Sequence, residues 1–250
     1  MKLQRLKNEL AAIWFIAAKD IKIYYSKPPV LMFGIMFPVF MFLSFLIRRQ
    51  IGPAEVFGGL SSMTLFFMAS SIGPVVIPLE KRQGTYDRFI SAPLSLQALI
   101  LGKTVPGLVF GIVIALLPLS IGLLFGSQIQ NILILGVALL LGGLAFSTLG
   151  ILLSSFQAER TGSVMIGMNF IRLPSLFVSG IFLPLNEMPQ LFVPISLLSP
   201  LTYAHDLVNW SLDTGIPFFH WIFDIIGLVI LSLLFLWLSI WLHERARRRT

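Results

Sequence analysis

The chain has 250 residues, 56% of them hydrophobic and only 12% charged, with a mean hydropathy of +0.90. Soluble domains carry about 25% charged residues, so this composition excludes a soluble fold and marks a polytopic membrane protein. The absence of Cys excludes disulfides and thiolate metal sites, and the net charge of +7 reports loop topology rather than nucleic-acid binding.

Residues 1–27 come first. Leu3, Leu6, Leu10, Ile13, Ala17, Ile21 and Tyr24 recur at spacings of three and four, which is one face of a helix. Lys2, Arg5, Lys7, Lys19 and Lys22 lie off that stripe. The pattern predicts an amphipathic helix lying in the membrane interface. A signal peptide centred on residues 11–18 is the rival reading. Its apolar core is too short, and Lys19-Asp20 and Lys22 follow it directly. A solvated basic arm is the plain alternative.

Residues 28–47 are uncharged and close to the ~20 residues that a spanning helix needs. Arg48-Arg49 and Gly52-Pro53 end this first span. Residues 56–79 form the second, with Pro74 and Pro78 near its far end. A polar island follows at 80–95, where Glu80, Lys81, Arg82, Asp87 and Arg88 crowd together. The uncharged run 104–158 would reach about 80 Å as one helix, against a hydrocarbon core of ~30 Å. Gly126-Ser127-Gln128 and Gln130-Asn131 break it, giving a third span at 99–125 and a fourth at 131–155. Gly107/Gly111 and Gly122/Gly126 are small residues four apart that permit close helix contact.

A short polar loop around Glu159-Arg160 leads to a fifth span at 163–182, which carries Arg172 near its middle. Pro184, Pro189, Pro194 and Pro200 then recur through a stretch that is apolar but too interrupted to cross. Such segments suit a re-entrant or interfacial hairpin, so 183–220 reads as an external hairpin and loop. Residues 221–242 form the sixth span, with Trp221 at one end and Trp237 and Trp241 at the other, as in interfacial aromatic belts. The expected fold is an all-α polytopic membrane protein. It has six transmembrane helices, an N-terminal amphipathic helix and an external re-entrant hairpin before the last span. No internal repeat is visible.

Six spans put both termini on one side. Of the 18 Lys and Arg residues, all but Arg48, Arg49 and Arg172 fall on that side. The positive-inside rule makes it cytoplasmic and places 80–95 there as well. The expected location is the cell membrane, as a multi-pass protein.

Catalytic constellations are absent. His243-Glu244 lacks the second His of a zincin motif, and Leu101-Gly102-Lys103-Thr104 has Gln97 where a Walker A loop needs Gly. The sequon at Asn209-Trp210-Ser211 is uninformative without a known host. The polar island is more specific. Gly84-Thr85 breaks the chain, Thr85 suits an N-cap and Asp87 favours the helix dipole. Pro93 biases Ala92 away from helical angles. On the residues alone two readings stand: a capped helix of about two turns, ~10 Å long, suited to docking into a groove on a partner, and a merely solvated interhelical loop whose charges serve topology.

Glu80, Gly84-Thr85, Asp87-Arg88, Ser91 and Pro93-Leu94-Ser95 resemble a motif characteristic of membrane permeases of ABC-2-type exporters. Phe89 stands where Leu is commoner in that motif, a conservative departure. Gly180, Pro184-Leu185, Met188-Pro189, Ile195-Ser196 and Pro200-Leu201-Thr202-Tyr203 are similar to the family's proline-rich external hairpin. The resemblance covers essentially the whole chain. It implies a permease that dimerises with a second permease copy, identical or paralogous, and binds two copies of a separate ATPase subunit. ATP and Mg would be held by that partner and no cofactor by this chain. Residues 85–92 would be the coupling helix, seated in a cleft of the ATPase. Glu80, Arg82, Gly84, Thr85, Asp87, Arg88, Phe89 and Pro93 are the coupling candidates. Arg88, Lys81 and Arg82 would pair with partner acids, and Glu80 would hold the loop through backbone N–H groups or Arg82. Pro184, Pro189, Pro194, Pro200 and Tyr203 would shape the external exit.

Arg172 is the remaining candidate. A mid-membrane charge costs at least about 2.5–3.5 kcal/mol on insertion scales. It needs an anionic substrate group in the translocation path or, on the bland reading, backbone carbonyls near the prolines. An ATPase-independent transporter or channel predicts acidic or His residues within the spans, where only Arg172 lies, with Asp224 at an edge. An intramembrane enzyme would need His205, His220 or His243 at membrane depth, and all three fall outside the expected spans.

Overall fold

A computed structural model describes residues 2–25, 35–36, 38–40, 43, 52–86, 95–155, 161–212, 214 and 217–247. Among these, every regular element is helical. Most of the expected first span, 28–47, lies outside them, as do Asp87, Arg88, Phe89 and Pro93.

Helix α1 is Lys2–Asp20, continued by a π-helical turn at Ile21–Tyr25. Its buried positions are Ile16, Ala17 and Asp20, whereas Leu10, Trp14 and Phe15 are exposed. Of the apolar stripe expected from the spacing, Ala17 is buried and Leu10 is exposed. α2 runs Pro53–Ser70 and α3 Ile72–Arg82. Together they cover the expected second span, with a break at Ser71 that the sequence reading did not place.

The break has a local cause. Pro74 has no N–H to give to the Ser70 carbonyl, and its ring disfavours helical angles at Gly73. The Ser71 hydroxyl donates back to Phe67 O at 2.5 Å, and Ser70 likewise bonds Phe66 O; such back-bonding bends helices.

α4 is Leu96–Leu124, started by Ser95, whose side chain accepts from Ala98 N at 3.1 Å. α5 is Ile132–Ser154, capped by Asn131, which accepts from Leu133 N and Ile134 N at 3.1 Å each. These caps satisfy otherwise orphaned backbone donors. Gly126, at φ +94°, turns the chain between the two helices.

α6 is Thr161–Val178. It stops short of the expected Phe182 because the chain leaves helical angles at Ser179 and Gly180 takes φ +89°. α7 is Pro200–Leu212 and α8 Trp221–Arg247. α7 lies within the expected external hairpin and loop at 183–220. It is a helix with almost every side chain buried, packed on α2, α5 and α8.

Four helical stretches among the described residues are long and apolar enough to cross a membrane: Ala54–Arg82, Leu96–Leu124, Ile132–Ser154 and Trp221–Arg245. α6 holds a shorter apolar stretch, Ile166–Val178. The main core gathers Leu65, Phe66, Phe146, Leu201 and Leu207 at the crossing of α2, α5 and α7. Phe66 and Phe146 meet edge to face with centroids 4.8 Å apart. α3 crosses α5 so closely that a Cβ on Gly73 would lie 2.6 Å from the backbone of Gly150. Small residues at membrane helix contacts permit this approach.

Candidate functional site

The polar island hangs between two helix ends. α3 continues through Glu80, Lys81 and Arg82, so these three residues are helical and not part of a loop. Gly84, at φ +66° and with open space where a Cβ would sit, ends the run. Thr85 donates its hydroxyl to Glu80 O at 3.2 Å. Tyr86 turns inward and joins Ile16, Ile77, Leu99, Ile100 and Ile151 in a second apolar core. The Lys81 ammonium lies 5.3 Å from the Tyr86 ring centroid, while Arg82 is exposed.

Glu80 itself is 1% exposed. Its expected partners, backbone N–H groups or Arg82, are replaced by two lysines from other helices. Lys103 Nζ donates to Glu80 Oε2 at 2.5 Å, and Lys19 Nζ to Glu80 Oε1. Lys19 also meets Asp20 Oδ1 at 2.8 Å, and Lys103 meets Asp20 Oδ2 at 3.4 Å. The result is a closed square of alternating charge, Lys19–Asp20–Lys103–Glu80. Three of its four members are 2% exposed or less. Buried charges survive when they are paired and hydrogen-bonded, and this square is neutral overall.

Its members experience burial unequally. Burial alone would pull the Lys19 ammonium down, but Asp20 and Glu80 outweigh it and hold Lys19 above its ordinary value. Burial pushes the Asp20 carboxyl up, against the pull of Lys103 and Lys19. Lys19 is 31% exposed and keeps water, whereas Asp20 is 0% exposed and loses it.

Sequence reasoning picked Glu80 and missed Asp20 as a site residue. It counted Lys19 and Lys103 for topology alone. The signal was present in Lys103, the one charge inside a 29-residue apolar helix.

Arg172 is the second polar centre, 2% exposed on α6. Its Nη2 lies 2.7 Å from Ser70 Oγ, 3.0 Å from Ser71 Oγ and 3.3 Å from Phe67 O, and its Nε is 3.0 Å from Ser70 Oγ. The guanidinium also lies 5.1 Å from the Phe67 ring centroid, within cation–π range. Among the described residues, every group that it meets is neutral. The residues on the α2 side are those that form the Ser71 break, so Arg172 braces that break.

The proline-rich stretch forms short turns at Leu185–Glu187 and Val193–Ser196 before α7. Tyr203 lies in α7, where its hydroxyl donates to Leu197 O at 2.9 Å. Thr202 likewise donates to Ser196 O at 2.8 Å. Pro200 is buried, and Pro189 and Pro194 are exposed. Inside the bundle, His205 Nδ1 lies 3.2 Å from Ser62 Oγ, and Asp206 accepts from Phe218 N and Phe219 N at 2.8 Å each. At this same end, opposite Glu80, a cavity of about 360 Å³ lies between Glu55, Gln128, Gln130 and Thr214. No group of three or more His, Cys, Asp or Glu residues among the described residues is placed to hold a metal ion.

These features, a polar island rooted between two apolar helices and a proline-rich stretch before the last helix, fall inside one family assignment. A model of the ABC-2 type transporter family matches residues 11–212. The chain belongs to that family. As an ABC-2 type transporter chain it is a membrane transport protein, and its long apolar helices agree with this. It is 25% identical over 154 residues, 58% of its length, to the "Probable multidrug ABC transporter permease YbhR" of Escherichia coli K12. The counterpart from Escherichia coli O157:H7 matches equally. The chain spans 41% of the length of these curated relatives.

Proposed function

We propose that this chain is the permease subunit of an ABC exporter, with ATP hydrolysed by a separate subunit docked on residues 80–95. The observation that carries the reading is the family match across 11–212, which includes both the polar island and the proline-rich stretch. The geometry supports it. The island is anchored at its root by Glu80, which is buried between Lys19 and Lys103. In this reading Arg82, Asp87, Arg88 and Phe89 face the ATPase, Gly84 and Pro93 set the ends of the docking helix, and Thr85 ties its start to Glu80. Two ATPase copies and a second permease copy complete the assembly. The Glu80 end is cytoplasmic, and the ATPases hold the ATP and Mg.

Substrate leaves through the opposite end, shaped by Pro184, Pro189, Pro194, Pro200 and Tyr203. Drugs lead the candidate substrates because the relative's name says multidrug; lipids, glycolipids or polysaccharides, and ions follow. Arg172 presents its cation to an anionic substrate group. Its support is that the groups it meets are neutral, which leaves its charge uncompensated among the described residues. Arg172→Gln then abolishes transport while ATPase binding and assembly persist; unchanged transport removes Arg172 from the path.

Pull-down of the tagged permease with candidate ATPase subunits tests the reading, followed by ATPase activity against a substrate panel. Retention of an ATPase whose activity responds to a panel member is the expected result. A permease that moves substrate with no ATPase bound would favour a secondary transporter instead.

A further inference from the structure

The end of the bundle opposite Glu80 holds two carboxyl groups that the transport reading does not use. Asp206 lies on α7 and Asp224 in the first turn of α8, and they are 3% and 0% exposed. The two helices meet there in antiparallel register. A Cβ on Gly227 would lie 2.8 Å from the Tyr203 ring, and Trp210 Nε1 donates to Phe219 O at 2.7 Å. Asp206 and Asp224 fall between those two contacts, and their carboxyl groups come within hydrogen-bonding reach of each other.

The two acids are supplied unequally. Asp206 accepts from Phe218 N and Phe219 N at 2.8 Å each. Both oxygens of Asp224 are buried, and neither has a donor among the described residues. Backbone donors at the start of α8 turn elsewhere: Phe223 N goes to His220 O at 2.8 Å and Ile222 N to His220 Nδ1 at 3.5 Å.

No described cation takes the place of a donor. α5 packs on both helices and carries no titratable residue. α2 brings Glu55 in its first turn, and α6 brings Arg172, which is bonded to Ser70 and Ser71. Lys103 of α4 is held by Glu80 at the other end. The remaining groups of α7 are Tyr203, bonded to Leu197 O, and His205, set between Ser62 and Asn209. His220 packs on Trp210 and Trp221, and Glu187 is exposed. The charges at the far end of α8, from His243 on, are about five turns away.

Two ionised carboxylates in one buried site repel, and a buried charge without a partner is strongly disfavoured. One proton removes both problems, because a neutral Asp224 becomes a donor while Asp206 remains an acceptor. An acid inside a spanning helix calls for an explanation of this kind.

We propose that Asp206 and Asp224 form a proton-binding site, in which Asp224 holds one proton, donates it in a hydrogen bond to Asp206 and so fastens α7 to α8. Loss of the proton leaves two negative charges between the helices and loosens them at this end. A route for the proton adjoins the pair. Asp206 lines a cavity of about 10 Å³ together with His205 and Asn209, which is room for about one water. The buried Asn209 Oδ1 has no hydrogen-bond partner among the described residues and supplies an acceptor there. The site does not depend on ATPase docking.

Infrared spectroscopy of the purified chain reads the proton, because a protonated carboxylic acid has a carbonyl stretch distinct from that of a carboxylate. Asp224→Asn is the key variant. Its amide is close in shape to a protonated Asp and donates to Asp206 without titrating. At neutral pH the native protein should show an acid band that Asp224→Asn lacks, and that band should fade as pH rises. Asp206→Asn removes the repelling charge and puts an amide donor beside Asp224, so it should lose the same band; it serves as the second variant should the first fail to fold.

Thermal unfolding in detergent adds a second measure. Folding takes up a proton at this site, so native stability should fall as pH rises from about 4, the ordinary carboxylate value, toward the pH at which the folded pair loses its proton. Asp224→Asn should show a flatter profile and, above neutral pH, a higher unfolding temperature than the native chain. Equal pH slopes in the two proteins, or native and variant spectra with the same acid band, overturn the inference. So does a neutral-pH unfolding temperature that added sodium or calcium raises in the native chain and not in Asp224→Asn, which would assign the pair to a metal cation.

Discussion

Two buried polar centres sit in one helical bundle, and they are built on opposite plans. The square at Lys19, Asp20, Glu80 and Lys103 matches two cations with two carboxylates from three parts of the chain. Among the described residues, Arg172 meets hydroxyls, a carbonyl and an aromatic face. In the square each charge exists because of the others, so removing one strands its partners. At Arg172 the neighbours are neutral and already hold internal bonds, Ser70 to Phe66 O and Ser71 to Phe67 O. Removing the cation strands nothing charged. The first centre does not tolerate the loss of any single member, while the second gives up its cation without stranding a charge.

That contrast is open to attack, and the largest effect is expected at the square. Lys103→Met leaves Glu80 and Asp20 sharing Lys19 alone. Breaking a buried pair from one side costs about 3–5 kcal/mol, so thermal unfolding in detergent should fall well below that of the native protein. Adding Glu80→Leu should recover most of the loss. A single variant as stable as the native chain would mean that the square is hydrated and not buried.

Gly73→Ala, beside the Arg172 centre, is expected next. Its Cβ meets Gly150 backbone, which cannot rotate away, and overpacking costs about 1–3 kcal/mol. Gly102→Ala beside the square should cost less, because it meets mainly the Ile16 side chain. Gly84→Ala follows. No atom crowds the site, so its cost is the left-handed backbone alone, about 1–2 kcal/mol. It would appear as weakened ATPase retention with unfolding little changed.

Arg172→Met is expected to alter thermal unfolding least among these variants. Its lost hydrogen bonds, each worth about 1.5–3 kcal/mol, are opposed by removal of a charge that costs about 2.5–3.5 kcal/mol in the membrane, and the hydroxyls left behind keep their bonds to Phe66 O and Phe67 O. A drop as large as that of Lys103→Met would erase the distinction between the two centres.

The smallest effect is that of pH. Lys19 is held above its ordinary value, so its contribution is complete below pH 10.5 and is lost as pH rises through the folded-state value. Asp20 is pushed the other way from a stabilising carboxylate: its protonated form is favoured by folding, and that advantage disappears as pH rises through its own raised value. Thermal unfolding followed above pH 10.5 should show a decline that Lys19→Met lacks.

Much of the helical frame is legible in apolar runs. Asn131 and Ser95 begin α5 and α4 close to where the composition changes, because capping is a local property. The charge pattern also singles out the polar island, since nothing else in that stretch competes with it. Elements whose polar residues are satisfied internally are not legible in this way. α7 carries His205, Asp206 and Asn209 and so reads as an exposed loop. In the fold these residues bond Ser62, the backbone at Phe218 and Phe219, and each other. The square escapes a sequence reading for a related reason. Two of its pairs lie 61 and 83 residues apart, and no periodicity encodes which lysine meets which carboxylate. The break at Ser71 falls between these cases. Pro74 announces it, but only the close approach to Gly150 and the brace from Arg172 show where it settles.

The account depends most on the polar island being a docking surface for an ATPase. The direct measurement is co-purification of a tagged native permease and its Arg88→Glu variant with candidate ATPase subunits, under conditions where both permeases show the same thermal unfolding. The native chain is expected to retain an active ATPase and the variant to lose it. Equal retention by both, or transport by a native permease that retains none, would contradict the account.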